Sequence, residues 1–136
     1  MFAKSLTMAT FLFAATLPAR AADCLAYEPA KVTLTGIVTL VQGFGPPGFG
    51  EDPAHDKKET YALITLDKPA CVSGGADASD EDVAAIGAFQ LVSKDGKRFD
   101  KKLVGRRVTV TGTLFHRVSG GNSEVMVLYT GVVKAR

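Results

Sequence analysis

The chain of 136 residues has no tryptophan, two cysteines and two histidines. Few metal-ligating or nucleophilic side chains are therefore available. The cysteines, Cys24 and Cys71, form no CxxC pair, and neither has a histidine beside it. The histidines, His55 and His116, form no HExxH pair. There is no GxSxG elbow and no phosphate-binding P-loop. The carboxylate pair Glu51-Asp52 lies in a glycine-proline stretch, away from any hydrophobic pocket that would raise one of its pKa values. These absences argue against an enzyme and imply no cofactor. The lack of tryptophan also removes the best stacking platform for nucleic-acid bases.

No apolar run is long enough to span a bilayer. The longest, Leu6–Leu17, has about a dozen residues where a spanning helix needs about 20. It follows Lys4 and precedes Pro18 and the small-x-small triplet Ala19-Arg20-Ala21. That layout is expected of a secretory signal peptide over residues 1–21, cut between Ala21 and Ala22, with residues 22–136 as one domain. Asp23 before Cys24 disfavours a lipoprotein. Cleavage would remove Lys4 and Arg20, so the 16 basic residues become 14 and equal the 14 acidic ones. A mature chain of zero formal charge argues against nucleic acid as a partner, because phosphate neutralisation supplies most of that affinity. Charge is unevenly placed all the same. Asp77, Asp80, Glu81 and Asp82 form an acidic run, and Lys94, Lys97, Arg98, Lys101, Lys102, Arg106 and Arg107 a basic one.

In an exported chain an even cysteine count points to pairing. A Cys24–Cys71 bridge would close a loop worth about 4 kcal/mol on chain entropy. Two free thiols or a metal pair are the alternatives.

Strand signals dominate the rest. In Lys31–Val41, Val32, Leu34, Val38 and Leu40 share one parity and Thr33, Thr35 and Thr39 the other. Arg106–Arg117 repeats the pattern, so "VTLTG" at Val32 returns as "VTVTG" at Val108. Glu59–Leu66, Ile86–Val92 and Val125–Val133 are three more strands. Between the third and fourth strands, Phe99 and Leu103 share one face of a short expected helix. Ser93 or Asp95 would cap it and Gly105 would stop it. Five strands with a helix between the third and fourth predict a mainly β, OB-fold-like Greek-key barrel. Its first and fourth strands are neighbours, and both must bend to close it. Gly36 and Gly112 are the expected barrel-closing glycines.

The blocks "CLAYEPAKVTLTGIV", "ETYALITLDKPACV" and "LVGRRVTVTGTLFH" together resemble a bacterial domain-of-unknown-function family of small exported OB-like proteins. The resemblance covers nearly all of the chain after the signal and implies domain shape and export. The family carries a short histidine run after the third block. Here "RVSGGNSE" stands there instead, so no histidine role is carried over.

The longest irregular stretch, Gln42–Lys58, joins the first two strands. Loops this long in compact domains tend to be functional or mobile. Phe44 and Phe49 flank Pro46-Pro47, and either tuck onto the barrel or project as anchors. In OB-folds this loop and the one between the last two strands, here Val118–Ser123, border the ligand groove. The expected contact residues are Phe44, Phe49, His55, Lys57, Lys58, His116 and Arg117. His55 and His116 could share one side of the barrel if the loops converge. The leading expectation is a monomeric, non-enzymatic periplasmic or extracellular domain that binds an envelope protein or an enzyme it inhibits. A binder of glycan or nucleic acid is the second expectation. The third is a divalent-metal domain centred on His55, Glu51, Asp52 and Asp56.

Overall fold

The computed structural model describes residues 23–77, 79–117 and 123–134. The expected signal peptide and residues 118–122 of the second loop lie outside them. Six strands form one sheet: β1 (Leu25–Ala26), β2 (Lys31–Phe44), β3 (Lys58–Ser73), β4 (Val83–Ser93), β5 (Arg107–His116) and β6 (Val125–Lys134). Around the barrel the order is β2-β3-β4-β6-β5, and β5 pairs with β2 to close it. Every barrel pairing is antiparallel except β4–β6, which is parallel. The fold is the expected mainly β, OB-like barrel. β1 is an extra strand on the free edge of β3, parallel to Val72–Ser73.

The repeated phrase pairs with itself. Val32 lies opposite Gly112, Thr33 opposite Thr111, Thr35 opposite Thr109 and Gly36 opposite Val108. Each copy's valine thus faces the other's glycine, and the Thr35 and Thr109 hydroxyls meet at 3.0 Å. Val32, Leu34, Val38, Val108, Val110 and Leu114 point inward and are buried, so one parity of each copy makes the core. At the two glycines the walls come closest. A Cβ on Gly36 would lie 2.1 Å from the Thr65 carbonyl oxygen, and one on Gly112 would lie 2.3 Å from that of Leu128. Gly36 is also where β2 passes from β5 to β3, pairing with both Val108 and Leu66. Gly112 sits at the register shift between β5 and β6.

Three expectations need correction. The helix between the third and fourth strands is a single 3-10 turn, Lys101–Leu103, capped by the Asp100 carboxylate, which accepts the Lys102 N–H. Gly96, inside the expected helix, takes positive φ, and the backbone is extended at Asp100 and again at Val104, so only one turn forms between them. Phe99 and Leu103 still pack on the core, and Phe99 meets the Tyr129 ring edge-on at 6.1 Å. The second correction concerns β3, which runs seven residues beyond Leu66, to Ser73. Pro69 hides this continuation in the sequence. It is tolerated because the β3–β4 ladder is irregular there, between Thr65 and Ala70, so its missing N–H breaks no regular pairing. Cys71 therefore lies inside a strand rather than after one. The third concerns β4, expected over Ile86–Val92, which runs from Val83 to Ser93 and buries Phe89 in the core.

Cys24 and Cys71 are joined by a disulfide across 47 positions. Together with β1 it lays the N-terminal segment over one end of the barrel. There Tyr27, only 1% exposed, plugs the core. Its hydroxyl donates to the Glu81 carbonyl at 2.6 Å, and the Glu28 N–H donates to that of Leu114 at 2.9 Å.

Candidate functional site

β2 and β3 form a hairpin whose connection, residues 45–57, is ordered by one side chain. Asp56 points inward and is 6% exposed. Its carboxylate accepts the N–H groups of Gly48 at 2.6 Å, Gly50 at 2.7 Å and Asp52 at 3.1 Å. The Gly45 N–H donates to the Lys57 carbonyl at 2.6 Å and closes the loop at its neck. Burial alone would raise the Asp56 pKa, but the three N–H donors outweigh it and hold the carboxyl below its ordinary 3.8. The sign follows from that depression. The loop is held fully above pH 3.8 and released as the pH falls through the lower folded value. Asp56→Ala is expected to release the loop at neutral pH. Amide exchange measured by NMR should show Gly48, Gly50 and Asp52 losing protection while the barrel amides keep theirs.

The clasp separates the two phenylalanines that look symmetric in the sequence. Phe44 is half-buried at the end of β2 and packs beneath Gly50, where an added Cβ would lie 3.5 Å from its ring. The Tyr61 hydroxyl donates to the Phe44 carbonyl at 3.0 Å and anchors that backbone. Burial, with Glu59 beside it, pushes the Tyr61 phenol above its ordinary value. Phe49, by contrast, is 46% exposed at the turn and has a φ of 52°. A non-glycine residue in the left-handed region carries about 1–2 kcal/mol of strain. Here the strain is held by the Asp56 clasp and by the Phe49 N–H bonding the Gly45 carbonyl at 3.0 Å.

The other expected contacts divide into two groups. His55, exposed, lies 2.7 Å from the Asp52 carboxylate in the same loop. Lys57 lies 3.6 Å from Glu59, and Lys58 opens β3 opposite Phe44. These three surround Phe49's loop. His116 and Arg117 do not join them. The His116 N–H donates to the Asp80 carboxylate at 3.2 Å, in the loop that follows the far end of β3. The Arg117 N–H bonds the Glu124 carbonyl at 2.9 Å. His55 and His116 thus belong to opposite ends of β3, and the loops do not bring them together.

Between the two loops lies the outer face of β2, β3 and β4. The described end of the second loop is tied to β4, with the buried Ser123 hydroxyl bonding the Ala88 carbonyl at 2.7 Å. The middle of that face, Ile37, Thr39, Val41, Tyr61, Leu63 and Thr65, carries no charge, while Glu59 accepts the Tyr61 hydroxyl at 3.1 Å and Arg107, opposite Ile37, pairs with Asp67. Among the described residues no three His, Cys, Asp or Glu side chains converge on a cation position. In the acidic loop expected to surround a metal, the Asp56 oxygens are occupied by backbone donors. No helix among the described residues is long and apolar enough to cross a membrane.

Neither Asp56 nor Tyr27 is legible as a functional or structural centre in the sequence. The one available signal for Asp56 is an aspartate closing a loop of four glycines, whose unhindered N–H groups need an acceptor.

The fold and the clasped loop define a disulfide-linked OB-like barrel with a rigid aromatic tip. Comparison with family models, with curated proteins and with solved structures matches the chain to none of them.

Proposed function

We propose that this barrel is an exported, non-enzymatic binding domain that docks an envelope protein through the clasped first loop, with Phe49 as the anchor. One observation carries the reading: a large aromatic ring is held exposed, in a strained backbone conformation, by a loop whose amides converge on one buried carboxylate. A solvent-exposed turn under no functional constraint would take glycine there. Preorganisation lowers the ordering cost of association, and buried aromatic anchors carry much of the energy of protein interfaces. His55 and Lys57 in the same loop, and Lys58 just after it, are exposed and would supply polar contacts. Phe44 supports the loop from below. Export is supported by the Cys24–Cys71 disulfide, which persists in oxidising compartments. It accords with the resemblance of the three sequence blocks to small exported proteins. The uncharged middle of the outer face, bordered by Glu59 and by Arg107 already paired with Asp67, favours a neutral polymer such as a glycan over nucleic acid as the second reading.

Phe49→Gly separates binding from stability. Glycine relieves the positive φ, so the variant is expected to be as stable as the wild type, or about 1 kcal/mol more stable. It is also expected to lose the partner. Affinity capture from envelope extract, with wild type and Phe49→Gly side by side, checks both. A protein retained by the wild type alone supports the reading. Equal retention by both proteins, or a marked fall in melting temperature for Phe49→Gly, removes Phe49 as an exposed anchor.

A further inference from the structure

The acidic and basic runs are separated by β4 and occupy its two ends. Asp77, Asp80, Glu81 and Asp82 precede Val83, and Lys94 through Arg106 follow Ser93. The 11 residues of β4 span about 35 Å. The acidic run therefore lies at one end of β4 and the basic run at the other, the end where β3 begins and where the first loop carries the exposed Glu51 and Asp52. At the basic end Lys94, Lys97, Arg98, Lys101, Lys102 and Arg106 are all exposed, and none has an ion-pair partner among the described residues. Of the two carboxylates in that segment, Asp100 accepts the Lys102 N–H and caps the 3-10 turn. Arg107 is not part of this set, because it forms a two-pronged pair with Asp67 at 2.9 and 2.5 Å. Leu40, 39% exposed, lies beside the same segment. It is two residues along β2 from Val38, whose carbonyl accepts the Gly105 N–H at 2.7 Å and whose own N–H bonds the Arg106 carbonyl at 3.3 Å.

From this arrangement we infer that the basic end of the barrel docks on an anionic lipid bilayer, with the acidic end turned away. The shape of the charge favours a surface over a chain. A nucleic-acid strand lying on the OB face would meet Ile37, Thr39, Val41, Tyr61, Leu63 and Thr65, with Arg107, the register partner of Ile37, already paired with Asp67. The six exposed cations fall within one segment, 94–106, with Leu40 near it, and so present a clustered positive surface rather than a track for a strand. Unpaired surface cations gain more from the summed field of an anionic bilayer than from single ion pairs, which contribute little in water. The acidic end is repelled by the same field, so the charge separation orients the barrel. The basic segment and the Phe49 loop lie at the same end of the barrel, but the inference rests on the cations and not on Phe49.

Vesicle co-sedimentation tests it. The oxidised protein should pellet with vesicles of about 30% phosphatidylglycerol in phosphatidylcholine at low salt, about 50 mM. It should be released at about 500 mM, where the Debye length falls to a few ångströms. Lys101→Glu with Lys102→Glu should weaken binding at least about thirtyfold. Lys31→Glu with Lys68→Glu makes the same change in net charge away from the basic end and should retain binding. Equal binding to pure phosphatidylcholine, equal losses in the two variants, or no binding at low salt would overturn the inference. So would tighter binding to a single-stranded oligonucleotide than to the anionic vesicles, which would make nucleic acid the ligand of this end.

Discussion

Gly36→Ala and Gly112→Ala are each expected to destabilise the barrel by at least about 3 kcal/mol, among the largest effects single substitutions produce. At Gly36 the new methyl carbon would sit 2.1 Å from a carbonyl oxygen, and at Gly112 2.3 Å, where van der Waals contact begins above 3 Å. Both obstacles are backbone, in strands paired on either side, so no rotamer change relieves them. The strands must separate, and the ladder that closes the barrel is lost with them. For a domain whose whole stability is about 5–15 kcal/mol, a loss of this size approaches failure to fold. Gly87→Ala is the control. It lies in β4 with nothing within 4 Å of the added carbon, and its effect should stay within about 0.5 kcal/mol. Urea unfolding of the three variants distinguishes a steric requirement at the closing positions from a general sensitivity of strand glycines. Equal small losses at all three would show that the barrel walls can part at Gly36 and Gly112.

Removing the disulfide with Cys24→Ser and Cys71→Ser is expected to lower stability by about 4 kcal/mol, from the entropy of the 47-position loop it closes. The structure adds a second consequence. The bond holds β1 against β3, and β1 leads into Tyr27, which is buried at the end of the barrel. Tyr27→Ala alone should cost about 3–5 kcal/mol, the range for removing a large buried aromatic. Because the bridge and the ring secure the same segment, the two losses should not add: once the segment has lifted, removing the ring costs little more. A double-mutant cycle by chemical denaturation measures the shortfall, and full additivity would mean that the ring stays seated without the bridge. Alkaline pH acts on the same plug. Burial, then the nearby Asp80, Glu124, Asp82 and Glu81 carboxylates, raise the Tyr27 phenol above its ordinary 10.0. Its contribution is therefore present below pH 10 and lost as the pH rises through the folded value.

What could be read from the residues, and what could not, divides by range. Alternation of valine, leucine and threonine is a local property, and it identified the strands and the buried parity of β2 and β5 through Val38 and Leu114. The parity failed at Leu40. That residue has the inward phase but lies 39% exposed, because the β2–β5 pairing ends at Ile37 and leaves that side of β2 open. The bend at Gly36 and Gly112 was legible because a glycine in a run of β-formers weakens the strand unless a bend or a close backbone approach requires it. The cysteine pair was legible because two cysteines permit one bridge.

The chain's own order of residues determined the strands, their inward faces, the closing glycines and the disulfide, since period-two patterning and steric exclusion act between neighbours or leave a single choice. Only the tertiary structure decided four other matters. It placed the acidic and basic runs at opposite ends of β4, removed His116 and Arg117 from the first loop, closed the barrel end with Tyr27, and made Phe44 a support and Phe49 a tip. Each depends on contacts made across turns and between strands, such as the Asp56 carboxylate gathering three amides, and no periodicity records where a chain that bends back on itself will place a side chain.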